Sequence, residues 1–121
     1  TLASLAGSAL IAILAVLLFP LSSFPPLSTP PFLLFVLLTL SGLAGALLDS
    51  LLGATVQAMY FCPQDQKETE KHPLHTCGTP TVHVRGWKWL DNDRVNIACG
   101  ALGTVIALVS LLIYWQTGSA I

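Results

Sequence analysis

From Phe32 to about Tyr60 the chain runs through apolar and small side chains with a single charged group, Asp49, near its middle. A helix needs about 20 apolar residues to cross the hydrocarbon core of a bilayer, and this stretch exceeds that length. In lipid every backbone N–H and C=O must be satisfied within the protein, so a helix is the expected solution. Two further runs share the character. Leu2 to Phe19 is interrupted only by Ser4, Gly7 and Ser8, and Val95 to Trp115 is apolar with a few small or polar residues. The expected fold is an all-α membrane protein with three transmembrane helices, over about 2–19, 32–59 and 95–115, forming one membrane domain across 1–121.

Composition agrees. The chain is 54% hydrophobic and 9% charged, with a mean hydropathy of +0.75, whereas a soluble domain carries about 25% charged residues. A net charge of -1 supplies no basic surface, which excludes a nucleic-acid partner, since phosphate neutralisation needs clustered Lys and Arg. Three cysteines are an odd number and too few for a disulfide framework. The chain opens without Met in an apolar run lacking a charged leading segment. It therefore reads as a piece of a larger polytopic helical bundle, without a signal peptide.

Between the runs the sequence changes character. Pro20 to Pro31 holds five prolines and no charge, a composition that breaks a helix and predicts an extended connection at the membrane surface. In the second run, Gly42, Gly45, Ala46, Asp49, Gly53 and Gln57 recur every three or four residues, so they share one side of a helix. Asn96, Gly100, Gly103 and Ala107 repeat the pattern in the third run. Small residues let helix backbones approach, and polar ones in such a seam hydrogen-bond across it.

The hydrophilic segment, about 61–90, is long for a loop, and turns or short strands are expected around Thr79 to Arg85. Trp87 and Trp89 follow as interfacial aromatics. All five cations lie between Lys67 and Arg94, so the positive-inside rule places this loop in the cytosol of a multi-pass protein.

A carboxylate inside a membrane helix costs at least about 2.5 kcal/mol at the bilayer centre, so Asp49 is a candidate functional group. It is expected about 16 Å before the end of the second helix, in the half of the membrane facing the loop. Asp91, Asp93 and Asn96 open the third helix from that loop, so these oxygens, with Asn92 and Gln57, are expected at one depth. Such an oxygen-rich set suits Mg²⁺ held by carboxylates and a phosphate. Arg85, Lys88 and Arg94 are the candidate phosphate contacts. The competing reading has Asp91 or Asp93 capping the third helix and Asp49 as a hydrogen-bonded packing group.

Cys62, His72, His75, Cys77 and His83 have the chemistry of zinc ligands. The spacing His72-x-x-His75-x-Cys77 follows no standard structural pattern, so a structural metal site in the loop is the third and weakest of the readings. A Cys62–Cys77 disulfide would need an oxidising lumen, against the cytosolic orientation. Cys99 is expected as a small buried residue.

Two stretches, Gly42-Leu-Ala-Gly-Ala-Leu-Leu-Asp-Ser-Leu-Leu-Gly-Ala-Thr-Val-Gln57 and Gly86-Trp-Lys-Trp-Leu-Asp-Asn-Asp-Arg-Val-Asn96, resemble the carboxy-terminal part of the transmembrane protein 19 family. Thr1 to Gly7 resembles the helix start that follows that family's Gly-rich Thr-Asn-Gly-Gly-Val-Ser motif. The family includes the phytyl-phosphate kinase of tocopherol synthesis. The resemblance implies a polytopic protein that transfers a phosphoryl group from a nucleoside triphosphate, CTP, to a membrane isoprenoid (phytyl or polyprenyl) monophosphate. On the matching positions the resemblance implies Asp49, Gln57, Asp91, Asn92, Asp93 and Asn96 as the polar set without assigning their individual roles; by the chemistry of the residues, Asp49 and Asp93 are the expected catalytic groups and Asp49, Asp91 and Asp93 the expected Mg²⁺ ligands. The sequence departs from the pattern at Asp93, where many relatives carry Asn, and in lacking the family's amino-terminal helices. The partners implied are the bilayer, the isoprenoid phosphate and those preceding helices. The alternative is a non-enzymatic packing or transport module.

Overall fold

The computed structural model of the chain describes residues 1–18 and 29–118. Its element order is α1 (Leu2–Leu18), α2 (Pro31–Thr55), β1 (Met59–Cys62), β2 (Lys67–Thr69), β3 (Val82–Arg85) and α3 (Asn92–Gly118). Phe19 and most of the connection expected over Pro20 to Pro31, up to position 28, lie outside the described residues. Two compact units are present, one of Thr1–Leu47 with Cys99–Ile121 and one of Leu48–Ala98.

The first unit is helical. Two helices, α2 with 25 residues and α3 with 27, are long and apolar enough to cross a membrane, with axial lengths of about 38 and 40 Å. With 17 residues α1 reaches only about 26 Å, below the roughly 30 Å of a hydrocarbon core. Pro31 opens α2 at the first helical position, where its missing N–H costs no hydrogen bond. Large apolar side chains remain exposed along both long helices, among them Leu40, Leu47, Val105 and Leu112, as lipid-facing residues do.

What holds this unit together is close backbone approach. A Cβ added at Gly45 would come within 2.9 Å of the Cys99 carbonyl oxygen, and one at Gly103 within 3.1 Å of the Ser41 carbonyl oxygen. At Gly42 it would meet the Ser8 Cβ at 2.7 Å. The small-residue seam of α2 is thus pressed against both α1 and α3. Gly100 meets nothing within 4 Å and is not part of the contact. Cys99 is buried.

The second unit contains a three-stranded antiparallel sheet in the order β2-β1-β3. Met59-Tyr-Phe-Cys is rich in β-formers, and its alternate residues Tyr60 and Cys62 are buried. The edge strand β2 carries Lys67 and Glu68, which discourages further pairing. Strands are expected around Thr79 to Arg85, and β3 lies there; β1 and β2 form where the sequence predicts the end of a helix and a loop. The reason is local: α2 stops at Thr55, after which Gln57 N–H reaches back to the Leu52 carbonyl at 2.9 Å. No Gly or Pro follows this stop before Pro63, and between Val56 and Cys62 only Gln57 interrupts the apolar residues that lead into a strand.

Candidate functional site

The approach to α3 is built by backbone pairing. Trp87 N–H donates to the Val56 carbonyl at 2.9 Å and Ala58 N–H to the Leu90 carbonyl at 2.8 Å. This strip lays residues 87–90 alongside 56–58. Gly86, with φ +80, is required here: a Cβ would lie 1.9 Å from the Gln57 carbonyl oxygen. Trp87 and Trp89 stack with ring centroids 5.5 Å apart and are both more than half exposed.

Asp91 then caps α3. Its Oδ1 accepts the Arg94 N–H at 2.9 Å, satisfying one of the free donors of the first turn, and its carbonyl accepts the Val95 N–H at 3.1 Å as the first intrahelical bond. Asp93 is the acidic residue of that turn, where the helix dipole favours a carboxylate. Around this start lies a groove of about 450 Å³ lined by Tyr60, Glu70, Lys71, His72, Leu74, Lys88, Asp91, Asn92 and Asp93. Four of the expected site residues, Lys88, Asp91, Asn92 and Asp93, meet there. Lys71, Glu70 and His72 join them through the fold of the 67–74 segment, which no spacing rule in the sequence indicates.

The other expected residues lie elsewhere in the unit. Arg85 pairs with Glu68 at 3.6 Å and donates to the Ala54 carbonyl at 3.3 Å, tying β3 to the end of α2. Arg94 donates to the Trp89 carbonyl and stands 3.9 Å from Asp91. Asn96 is exposed on α3. Gln57 is 3% exposed, its amide nitrogen has no partner among the described residues, and its amide oxygen bears on Gly53. Asp49 is half-buried, one helical turn before Gly53 and on the same side. Because α2 ends at Thr55, Asp49 lies about 9 Å from that end, closer than the 16 Å expected. A carboxylate near a helix end costs less than one at mid-membrane, so its presence constrains function less than its sequence context suggests. Asp49 does not line the groove.

The loop residues with ligand chemistry divide into two groups. His72 stacks on Tyr60 at 4.4 Å and His83 packs edge-on against the same ring at 5.4 Å. Cys62, His75 and Cys77 instead converge, joined by Asp65, with one ligand atom from each residue within 4.8 Å of the others. Hydrogen bonding by Thr79, through its side chain and backbone, and by His75 lowers the Cys77 thiol to about 7.

A family model described as integral membrane protein DUF92 matches residues 1–104. No curated protein and no solved structure matches the chain. The family match covers the seam of α2, the seam of α3 as far as Gly103, the sheet and the groove, and the chain belongs to the integral membrane protein family DUF92, the family of transmembrane protein 19.

Proposed function

We propose that this membrane protein binds the phosphate end of an isoprenoid monophosphate in the groove at the start of α3 and transfers to it a phosphoryl group from a nucleoside triphosphate, CTP. The observation that carries the reading is the juxtaposition of two ammonium groups, Lys71 and Lys88, with the oxygens of Asp91, Asn92 and Asp93 at the first turn of a membrane-length helix. Cations beside carboxylates are what a polyanion carrying a divalent metal needs, and the adjoining apolar helix suits an isoprenoid tail.

The donor set fits Mg²⁺. Asp91 Oδ1 is committed to the cap, while the Asp93 carboxylate has no hydrogen-bond or ion-pair partner among the described residues. Hard oxygens in this number suit a metal that keeps several waters and borrows ligands from substrate phosphates. When bound, the metal neutralises phosphate charge, which is most of what phosphoryl transfer requires. Lys88 and Lys71 hold the remaining anionic oxygens, and Asp93 fixes the metal side. Asp49 and the unpartnered amide of Gln57 supply polar contacts at the end of α2. In this reading α1, α2 and α3 all span the bilayer, the shorter α1 with local thinning of the lipid, the polar unit faces the cytosol, and Arg85 and Arg94 brace the groove.

The test is transfer from CTP to phytyl or polyprenyl monophosphate by the membrane-embedded protein. Lys88→Ala is expected to lower kcat/KM about 100-fold, the scale of one lost electrostatic contact to the reacting phosphate, and chelation of Mg²⁺ to abolish turnover. Unchanged turnover in Lys88→Ala, or none in wild type with any isoprenoid monophosphate, overturns the reading. A second reading, a packing or transport module, is favoured by the close approach at Gly42, Gly45 and Gly103. Under it Asp49→Asn alters stability or flux and leaves phosphoryl transfer untouched.

A further inference from the structure

The cluster of Cys62, Asp65, His75 and Cys77 is built by two tight turns that the sheet brings together. Cys62 ends β1 opposite Lys67 of β2, so residues 63–66 form the hairpin loop, closed by Gln66 with φ +50. Within that loop the Asp65 N–H points at Cys62 Sγ at 3.5 Å. The second turn runs through His75, whose N–H donates to the Thr79 carbonyl and whose carbonyl accepts the Gly78 N–H, both at 2.9 Å. Gly78 has φ +81, which swings Cys77 back towards β1.

The four ligand atoms lie within 4.8 Å of one another, and the sulfur–sulfur and nitrogen–sulfur spacings match a coordination shell while the His75–Asp65 spacing is shorter. Four ligands bound at about 2.0–2.3 Å around a tetrahedral zinc ion stand about 3.3–3.8 Å from one another. Here Cys62 Sγ and Cys77 Sγ are 3.5 Å apart, His75 Nδ1 and Cys77 Sγ 3.4 Å, and His75 Nδ1 and Asp65 Oδ2 2.9 Å. An ordinary Asp–His ion pair accounts for the last distance only. His75 Nδ1 has one proton or one lone pair, yet it faces both a carboxylate and a sulfur, and a second sulfur stands beside the first. A cation at the centre satisfies all four atoms at once. The remaining ring nitrogen, Nε2, lies 3.4 Å from Thr76 Oγ1, an outer partner that orients a ligating imidazole. His75 is buried at 8% exposure and Cys62 fully. Lys67 Nζ, 3.9 Å from Asp65 Oδ2, offsets the negative charge of two thiolates and a carboxylate.

We propose that Cys62, Asp65, His75 and Cys77 form a structural zinc site that pins the β1–β2 hairpin loop to the 75–78 turn. Two thiolates select zinc over Mg²⁺ or Ca²⁺, and four protein ligands leave no open position for catalysis. The site uses none of the groove's residues. Its truth is independent of the phosphoryl-transfer reading.

The experiment is metal analysis by mass spectrometry of the full chain, purified in detergent without chelator. One zinc per chain is expected, lost in Cys62→Ser and His75→Ala and retained in His72→Ala and His83→Ala. Because the cysteine variant could fail to fold, the second measurement is Zn²⁺ affinity of Asp65→Ala and Asp65→Cys. Asp65→Ala is expected to weaken binding more than 100-fold, beyond the 10- to 100-fold typical of an outer partner, and Asp65→Cys to restore it. Replacement by Co²⁺ is expected to give the visible absorption of a tetrahedral thiolate site. No zinc with no tetrahedral Co²⁺ spectrum overturns the proposal. So does a Cys62–Cys77 disulfide, seen as thiols that react only after reduction, or zinc binding indifferent to both Asp65→Ala and His75→Ala.

Discussion

The two units of this chain solve opposite problems. The helical unit has an excess of apolar surface and needs only close packing, which Gly42, Gly45 and Gly103 provide by letting backbones touch. The polar unit has the reverse difficulty. Its buried apolar residues are few, Ala58, Tyr60, Cys62, Leu90 and Val95, and a core of that size does not hold a small fold on its own. It relies on directional fixings instead: the strip between 56–58 and 87–90, the cap at Asp91, and the convergence of Cys62, Asp65, His75 and Cys77. Packing is spread over a surface, whereas fixings are concentrated at points. Single changes should therefore act unevenly in the polar unit and more evenly in the helical one.

The sharpest break is expected at Gly86. Gly86→Ala combines a left-handed backbone with a clash against the Gln57 carbonyl, and should cost about 4 kcal/mol or more. Rapid proteolytic cleavage between 59 and 90 in the variant, with the helical content of α2 and α3 kept, is the expected observation. Next is Gly45→Ala, where the added methyl meets the Cys99 carbonyl at 2.9 Å. Overpacking of this kind costs about 1–3 kcal/mol and is measured by thermal denaturation in detergent. Asp91→Ala removes one accepted N–H and should cost about 1 kcal/mol, read in the same melt. The control is Gly100→Ala, whose new Cβ meets nothing. No loss is expected there, and a gain of about 0.5–1 kcal/mol from helix propensity; a loss would show that the seam of α3 runs differently.

The helical unit was largely legible in the sequence. Long apolar runs leave the backbone no alternative to a helix, and the seam follows from three- and four-residue spacing. What the pattern misplaced was the end of α2. Val56 to Cys62 is apolar apart from Gln57 and holds no Gly or Pro, so the switch from helix to strand is decided by pairing with residues 82–90, which are distant in sequence. That error placed Asp49 farther from the end of α2 than it lies. In the polar unit the start of α3 was visible in the Asp91-Asn-Asp run, but Lys71 and His72 reach the groove only through the sheet. The metal-ligand cluster was hidden for a related reason. By spacing His72 looks as good a ligand as His75, and Asp65 looks like an ordinary loop acid. Only the β1–β2 register and the two positive-φ turns separate them. Cys62-x-x-Asp65 and His75-x-Cys77-Gly78, each on a tight turn, was the signal available.

The division of labour between the units is tested most directly at Asp93. CTP-dependent phosphorylation of phytyl monophosphate is to be measured for Asp93→Asn beside wild type, with the melting temperature of each. The expected result is turnover reduced about 100- to 1,000-fold with a melting temperature lowered only by the loss of a first-turn helix-dipole interaction, about 0.3–1 kcal/mol, since Asp93 has no hydrogen-bond or ion-pair partner to lose among the described residues. Turnover within twofold of wild type would contradict a catalytic role for the start of α3.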